Sequence, residues 1–437
     1  MQSRPKVVIV GGGVSGLATA HYLHSRLGDH VQLTLLEGGS RLGGKVANQQ
    51  FSGHLVDTGP DAVLVRAPAM AALLEDLGLG SQIVAPAALG AHVWSRGKLR
   101  RLPTGTLFGV PDRLLPLLKS RLMSPAGLAR AAMDLVLPHR HTSAPDPSIA
   151  DLVTPRLGSQ VFDRLVEPLL GGVHAGRAAE LSAHSTVSDI EALASNNRSL
   201  YLGLRKMRRH APPTTGAPVL VTLTGGLGRL VEALETRLAG DDLRLGATVG
   251  SIARVGTRYH VDLTGGQSIA ADAVVLATPA FATAGLLAEL APDAAAVLAE
   301  IPYVDVATIW LSYPRSAVGR PMDGTGFLVP PEEGKLLVGC TWSSRCWVGY
   351  TPVGPPSSAL TARCPTSRPS LRTTAACTWA FARCAAMRHR RRAPRCWSPS
   401  PVGWAGSSRP WRAGWLAMTF GCTPPRAASR ASGPDTA

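Results

Sequence analysis

The chain has 437 residues, enough for roughly two or three domains with large cores, and a formal net charge of +16 at pH 7. Fourteen Arg and a single acid, Asp435, follow residue 344, so +13 of that charge lies in the last 93 residues and the remainder is close to neutral. The basic tail mixes no Lys with its Arg and shows neither helical periodicity nor simple repeats, so no nucleic-acid partner is expected, and the lack of any apolar run of about eighteen residues excludes a transmembrane helix.

Met1-Gln2-Ser3-Arg4-Pro5 leads straight into an apolar run, so a cytoplasmic protein without a signal or transit peptide is expected. Val7 to Val10 reads as a buried parallel strand. Gly11, Gly13 and Gly16 then form a G-x-G-x-x-G turn into a helix starting near Val14. Gly11 permits the tight turn, Gly13 lets the backbone approach a pyrophosphate, and Gly16 lets the helix pack on the strand. The backbone of Gly12, Val14 and Ser15 belongs to the same anion-facing turn, at the positive end of the helix dipole. A second strand, Gln32 to Leu36, ends in Glu37, at the ~20-residue spacing where an acid binds ribose hydroxyls.

Gly38 to Lys45 is a basic, glycine-rich loop that adds to this dinucleotide site. Arg41 is expected to neutralise the pyrophosphate, while Gly43 and Gly44 let the backbone run close to the cofactor; from local residues alone, a solvated loop fits equally well. Asp57-Thr58-Gly59-Pro60-Asp61-Ala62 is turn-rich, with a rigid Gly-Pro corner. Residues 112–139 place Leu and Met at helical spacing with Arg113, Lys119, Arg121 and Arg130 between them, the pattern of amphipathic helices. His174, in a glycine-rich loop, is given no chemical role. Arg205 to Gly216 is a polar, basic connector, and Val219 to Leu223 is strand-like.

Gly225-Gly226-Leu227-Gly228 opens a helix with Leu230, Leu234 and Leu238 on one face, and its turn serves either packing or phosphate contact. Short strands follow at Tyr259 to Leu263 and Ile269 to Ala271. Ala273 to Ala277 is a buried strand with Thr278-Pro279 at its carboxyl end, where ligands bind in open α/β sheets. Val304 to Ser312 and Gly326 to Cys340 read as strands of a second, antiparallel sheet.

From Arg345 onward the chain holds six of its seven Cys and six of its nine Trp, but no Lys, Ile or Glu. This mixture, rich in Arg, Pro, Ala, Ser, Trp and Cys, is what a GC-rich frame gives when read out of register, and a frameshift is expected near codons 340–350. The cysteine spacings match no C-x₂-C pair, so no metal site is expected there.

The order of the Gly11–Gly16 fingerprint, Glu37, Arg41-Leu42-Gly43-Gly44-Lys45 and Gly59-Pro60-Asp61 resembles the flavin amine oxidase superfamily, and within it the porphyrinogen oxidases of haem biosynthesis. Leu99 to Gly105, Gly109-Val110-Pro111, Ala132 to Pro138 and Leu165 to Ser182 are similar to that branch as well, up to Thr341-Trp342-Ser343-Ser344. Ala62 and His174 depart from the Ser and Tyr common there, and Gly403, Gly406 and Gly414 do not rebuild the family's C-terminal turn beside the flavin.

The resemblance implies an α/β fold: a Rossmann-like FAD-binding domain (1–90 and 215–282), a helical insertion that contacts substrate and membrane (91–214), and an α+β substrate domain sheet (283–344). An aberrant, disordered tail (345–437) completes this expectation. FAD is the implied cofactor, with a backbone contact from Val249 to adenine and Thr278-Pro279 beside the flavin. The implied reaction is oxygen-dependent oxidation of the methylene bridges of coproporphyrinogen III or protoporphyrinogen IX, with hydrogen peroxide as by-product. Arg100, Arg101 and Arg177 are candidate partners for the propionates. The resemblance leaves room for peripheral membrane contact and for another haem-pathway enzyme as partner. Two alternatives stay open: another flavin oxidase acting on amines or carotenoid precursors, and a non-catalytic product lacking the elements that close over the flavin.

Overall fold

The computed structural model describes residues 4–65, 68–87, 90–137, 144–174, 176–210, 220–314, 318–319, 321–347 and 357–365, the last segment and Pro314 as backbone. Expectations about Pro138, Ala175, residues 211–219, the cysteines from Cys377 onward, and Gly403, Gly406 and Gly414 lie outside the described residues.

In chain order, the first half of the architecture consists of β1 (Lys6–Val10), α1 (Val14–Leu27), β2 (Gln32–Leu36), α2 (Gly228–Arg237), β3 (Asp242–Arg244), β4 (Val249–Val255), β5 (Arg258–Leu263), β6 (Ser268–Ala271) and β7 (Ala273–Leu276). A parallel sheet has the order β3-β2-β1-β7, and β4-β5-β6 form a separate antiparallel sheet. Side chains alternate along the central strands, so each face needs its own cover. Ile9 and Leu35 pack with Leu17, Ala20, Leu230 and Leu234 of α1 and α2. Val8, Val10 and Leu36 pack on the other face with Ile252, Val261 and Ile269 of the antiparallel sheet. Val8 and Ile9 are fully buried, each worth about 1.5–3 kcal/mol.

The N-terminus of α2 shows what the turn before it does. The N–H of Leu227 donates to the buried Asp57 carboxylate at 3.0 Å, and that of Gly228 to Asn48 Oδ1 at 3.0 Å. Its end groups are thus satisfied by side chains of the hairpin Asn48–Phe51/His54–Asp57, which makes Gly225-Gly226-Leu227-Gly228 a packing turn.

The second half is built on a six-stranded sheet. Helices α3 (Ala280–Leu287) and α4 (Pro292–Ala299) precede β8 (Val306–Pro314), β9 (Gly326–Leu328), β10 (Gly339–Thr341) and β11 (Ser357–Pro365). The order is β8-β11-β10-β9, continued by the hairpin His92–Ser95/Lys98–Arg101. That hairpin lies inside the stretch expected to be a helical insertion, and it joins the sheet through a parallel pairing of His92–Ser95 with β9. The expected strand Gly326 to Cys340 is split in two by the Pro331–Glu333 turn, closed by Gly334 at φ 61°. On one face of this sheet lie Trp94, Leu311, Phe327 and Trp342. On the other, Val93 packs against a helical layer whose core includes Leu117, Val153, Leu165 and Leu204. Leu115, Leu118 and Val136 of the helical layer are exposed, and no helix among the described residues is long and apolar enough to cross a membrane.

Within that layer a π-helical turn, Phe162–Val166, leads into the helix Glu167–His174. Glu167 is buried there and accepts the N–H groups of Ala178 and Ala179, which folds the following loop back onto the helix. Burial pushes its carboxyl above the ordinary Glu range, against the pull of those N–H groups and of Arg177.

Past Ser344 the described residues are Arg345 to Trp347 and the backbone of Ser357 to Pro365. Cys346 and Trp347 are buried with Phe51, Val56 and Trp310, at the seam between the hairpin Asn48–Asp57 and the second sheet. β11 pairs along its whole length with β8 and also with β10. Sheet pairing uses backbone groups, so a strand forms at the open edges of β8 and β10 from a sequence with little strand character of its own. Burial, and then the nearby Asp61 carboxylate, push the Cys346 thiol up to about 12.

Three outcomes follow from this packing. Trp347→Ala is expected to destabilise the chain by about 3–5 kcal/mol, read from denaturant unfolding; an unchanged midpoint would place the seam elsewhere. Asp57→Ala leaves the buried Leu227 N–H at the start of α2 without this acceptor and is expected to cost about 1–3 kcal/mol in the same assay. Because the folded pKa of Glu167 is raised, its contribution is complete below the unfolded value of 4.5 and is lost as pH rises through the folded value. Melting temperatures across that window are therefore expected to fall for the wild type relative to Glu167→Gln, and parallel curves would refute the assignment.

Candidate functional site

The carboxyl ends of β1 and β7 converge on one crevice. Gly11 leaves β1 at φ 108°, its N–H bonded to Leu36 O at 2.8 Å. A Cβ on Gly11 would lie 2.8 Å from Ala277 O and 3.2 Å from the Thr278 methyl, which puts the Thr278-Pro279 corner directly beside the fingerprint turn. A Cβ on Gly16 would collide with the carbonyl of Gly11. At Gly13, by contrast, a Cβ would meet nothing within 4 Å. Gly13 is also the N-cap of α1, and no side chain caps that helix. An open surface over Gly13, backed by uncapped N–H groups at Val14 and Ser15, fits the pyrophosphate of a dinucleotide.

Glu37 ties one side of the crevice to the fingerprint turn. One carboxylate oxygen accepts the N–H of Gly12 at 2.8 Å and the other that of Gly39 at 2.6 Å. Each oxygen keeps a further lone pair, so the oriented acid can also accept from a hydroxyl. Ala247 N–H bonds to Glu37 O at 2.9 Å, Gly246 N–H bonds to Gly39 O at 2.8 Å, and Thr248 lies against Gly38. Val249, the first residue of β4, thus follows directly on the segment tied to Glu37 and Gly38.

The loop after Glu37 is held against the fingerprint. Gly43 N–H donates to Gly12 O at 2.8 Å, and Gly13 and Gly43 are bridged in parallel. The guanidinium of Arg41 donates to the carbonyls of Leu42, Gly44 and Val46 at 3.0, 2.6 and 3.2 Å. Arg41 therefore folds its own loop, where the sequence suggests a direct partner for phosphate. A Cβ on Gly59 would collide with Lys45 O, and Thr58 is bonded to Ala47 O through its N–H and hydroxyl, so Gly59-Pro60-Asp61 lies against the same loop. Asp61 is buried, and Ala62 packs toward the seam around Trp310 and Trp347.

The three arginines assigned to substrate are placed apart from this cradle. Arg100 and Arg101 sit on the outer strand Lys98–Arg101, where the buried Nε of Arg100 has no hydrogen-bond partner among the described residues. Arg177 is exposed and pairs with Glu180 at 3.5 Å. Residues that local sequence patterns do not reveal also shape the site. Trp310 Nε1 donates to Asp57 O at 2.8 Å, tying β8 to the segment that precedes Gly59, and Tyr303 reaches the start of α3. Tyr303 lies in no motif, and Trp310, inside the expected strand Val304 to Ser312, carries no local signal of its bond to a distant carbonyl.

A family model described as flavin containing amine oxidoreductase matches residues 14–371. The chain is 33% identical over 358 residues to coproporphyrinogen III oxidase of Bacillus subtilis (strain 168), covering 80% of this chain and 75% of that one. It is 34% identical over 342 residues to coproporphyrinogen III oxidase of Mycobacterium leprae (strain TN), covering 78% and 73%. A crystal structure from Exiguobacterium sp. 255-15, provisionally named protoporphyrinogen oxidase, superposes with a TM-score of 0.76 at 28% identity over 91% of this chain and 86% of that one. With the match covering well over half of its length, the chain belongs to the flavin containing amine oxidoreductase family.

Proposed function

We propose that this chain uses FAD to oxidise a porphyrinogen in haem biosynthesis, with coproporphyrinogen III preferred over protoporphyrinogen IX and molecular oxygen as the final acceptor. The observation that carries the reading is the single crevice in which the Gly11–Gly16 turn, Glu37, the Gly43–Lys45 loop and Thr278 meet in contact with Gly59-Pro60-Asp61. Relatives at 33–34% identity that bear the name coproporphyrinogen III oxidase support the substrate.

FAD, when bound, supplies the acceptor for the hydride leaving a methylene bridge. The protein's part is to hold and to exclude water. The N-terminus of α1 and the backbone of Gly11 to Gly16 hold the pyrophosphate, and Glu37 accepts from the ribose. Val249 stands at the adenine end, and Thr278-Pro279 forms the wall at the other end. Arg100, Arg101 and Arg177 are the residues assigned to the propionates, by charge and by bidentate donor geometry. Exposed Leu115, Leu118 and Val136 are assigned to peripheral contact with a membrane or a pathway partner. A second reading, flavin binding without turnover, rests on the change of composition past Ser344.

Two experiments separate these readings. Purified full-length protein is expected to be yellow and to raise porphyrin fluorescence when given coproporphyrinogen III under air, while consuming oxygen. Bound flavin with no gain in fluorescence would support the second reading, and peroxide formed from an amine would overturn the first. Glu37→Gln, which weakens charge-assisted bonds to Gly12 and Gly39 and to the ribose, is expected to bind FAD roughly ten- to a hundredfold more weakly, as measured by flavin fluorescence titration. Wild-type affinity in that variant would remove Glu37 from the site.

A further inference from the structure

Tyr303 lies in the stretch between α4 and β8, far in sequence from every cradle motif, and it is half exposed. Its contacts reach both rims of the crevice. On the β7 side, its hydroxyl oxygen accepts the N–H of Ala280, the first residue of α3, at 2.9 Å. Its ring also meets Phe281 edge to face at 5.2 Å and 85°. On the fingerprint side, Lys45 Nζ stands 5.7 Å from the centroid of the same ring. Ala280 follows the Thr278-Pro279 corner that abuts Gly11, and Lys45 follows the Gly43-Gly44 turn bonded to Gly12. One aromatic side chain therefore joins the two walls between which a dinucleotide would lie.

Capping alone accounts for part of this arrangement, because the N-cap of α3 is Pro279, which offers no side-chain acceptor. It does not account for the ammonium of Lys45 on the ring face. Cation–π contact at an exposed position is weak, and so is one neutral hydrogen bond, so this bridge yields readily.

We propose that Tyr303 is a cofactor-retention residue, covering a flavin dinucleotide seated in the cradle and keeping Lys45 over it. The inference rests on the reading above that FAD occupies the crevice, and it assigns to the site a residue from a segment outside all of its motifs. A bound, anionic cofactor supplies a counter-charge for Lys45 and a flat surface for the ring, which strengthens the bridge when the site is filled.

The test uses the full-length chain stripped of flavin and titrated with FAD, following flavin fluorescence, with release rates from dilution and melting curves of the flavin-free protein. Tyr303→Ala is expected to raise both Kd and release rate about tenfold. Tyr303→Phe, which keeps the ring and loses only the acceptor, is expected to have a smaller effect of about threefold. Lys45→Met combined with Tyr303→Ala is expected to weaken binding less than the product of the single effects, because the two side chains act through each other. The melting temperature of flavin-free Tyr303→Phe should fall only slightly, by the loss of one exposed hydrogen bond, and too little to account for the change in flavin affinity. Wild-type Kd and release rate in both Tyr303 variants, or a lower flavin-free melting temperature as their only change, would reduce Tyr303 to a helix cap and overturn the inference while leaving the function intact. A wild type that binds no FAD would overturn both.

Discussion

Burial of β1 on both faces is the constraint from which the rest of the structure follows. A parallel strand with Val8 and Ile9 fully enclosed needs a helical layer on one side and a second sheet on the other. The helical layer supplies α1, whose N-terminus must then start at the carboxyl end of β1, and only glycine fits where that helix crosses the strand. The anion-facing turn is thus a product of the packing as much as a functional addition. The antiparallel sheet on the other face begins at Val249, just past the residues tied to Glu37, so the ends of the crevice are set by the same layering.

How much was legible in the sequence depended on the range of the interaction. The observed β2 runs from Gln32 to Leu36 and α1 starts at Val14, as the local patterns suggest, because alternation and the glycine turn are complete within a few residues. The family could be read for a similar reason, since its motifs are short and ordered along the chain. Asp57, Trp310 and Tyr303 act across separations of 170, 253 and 23 residues, and no periodicity records a side chain bonding to a distant backbone group. Arg41 could be placed in the right loop, but which acceptor its guanidinium meets depends on how that loop closes.

The segment past Ser344 shows the same limit from the other side. Its composition departs from that of the preceding chain, yet Trp347 fills a seam and residues 357–365 complete a sheet between β8 and β10. A sheet with open edges selects strands by backbone geometry, so composition alone is a poor guide to which residues it takes up. Burial at the seam also makes the Cys346 thiol a poor nucleophile, which agrees with a structural role for that part of the chain.

Asp57 gives the molecule a mechanical property. Its carboxylate holds the start of α2 while its carbonyl holds Trp310 of the second sheet, so one residue is riveted to both halves. A swing of one half against the other would have to break a buried charged contact and a buried indole bond together.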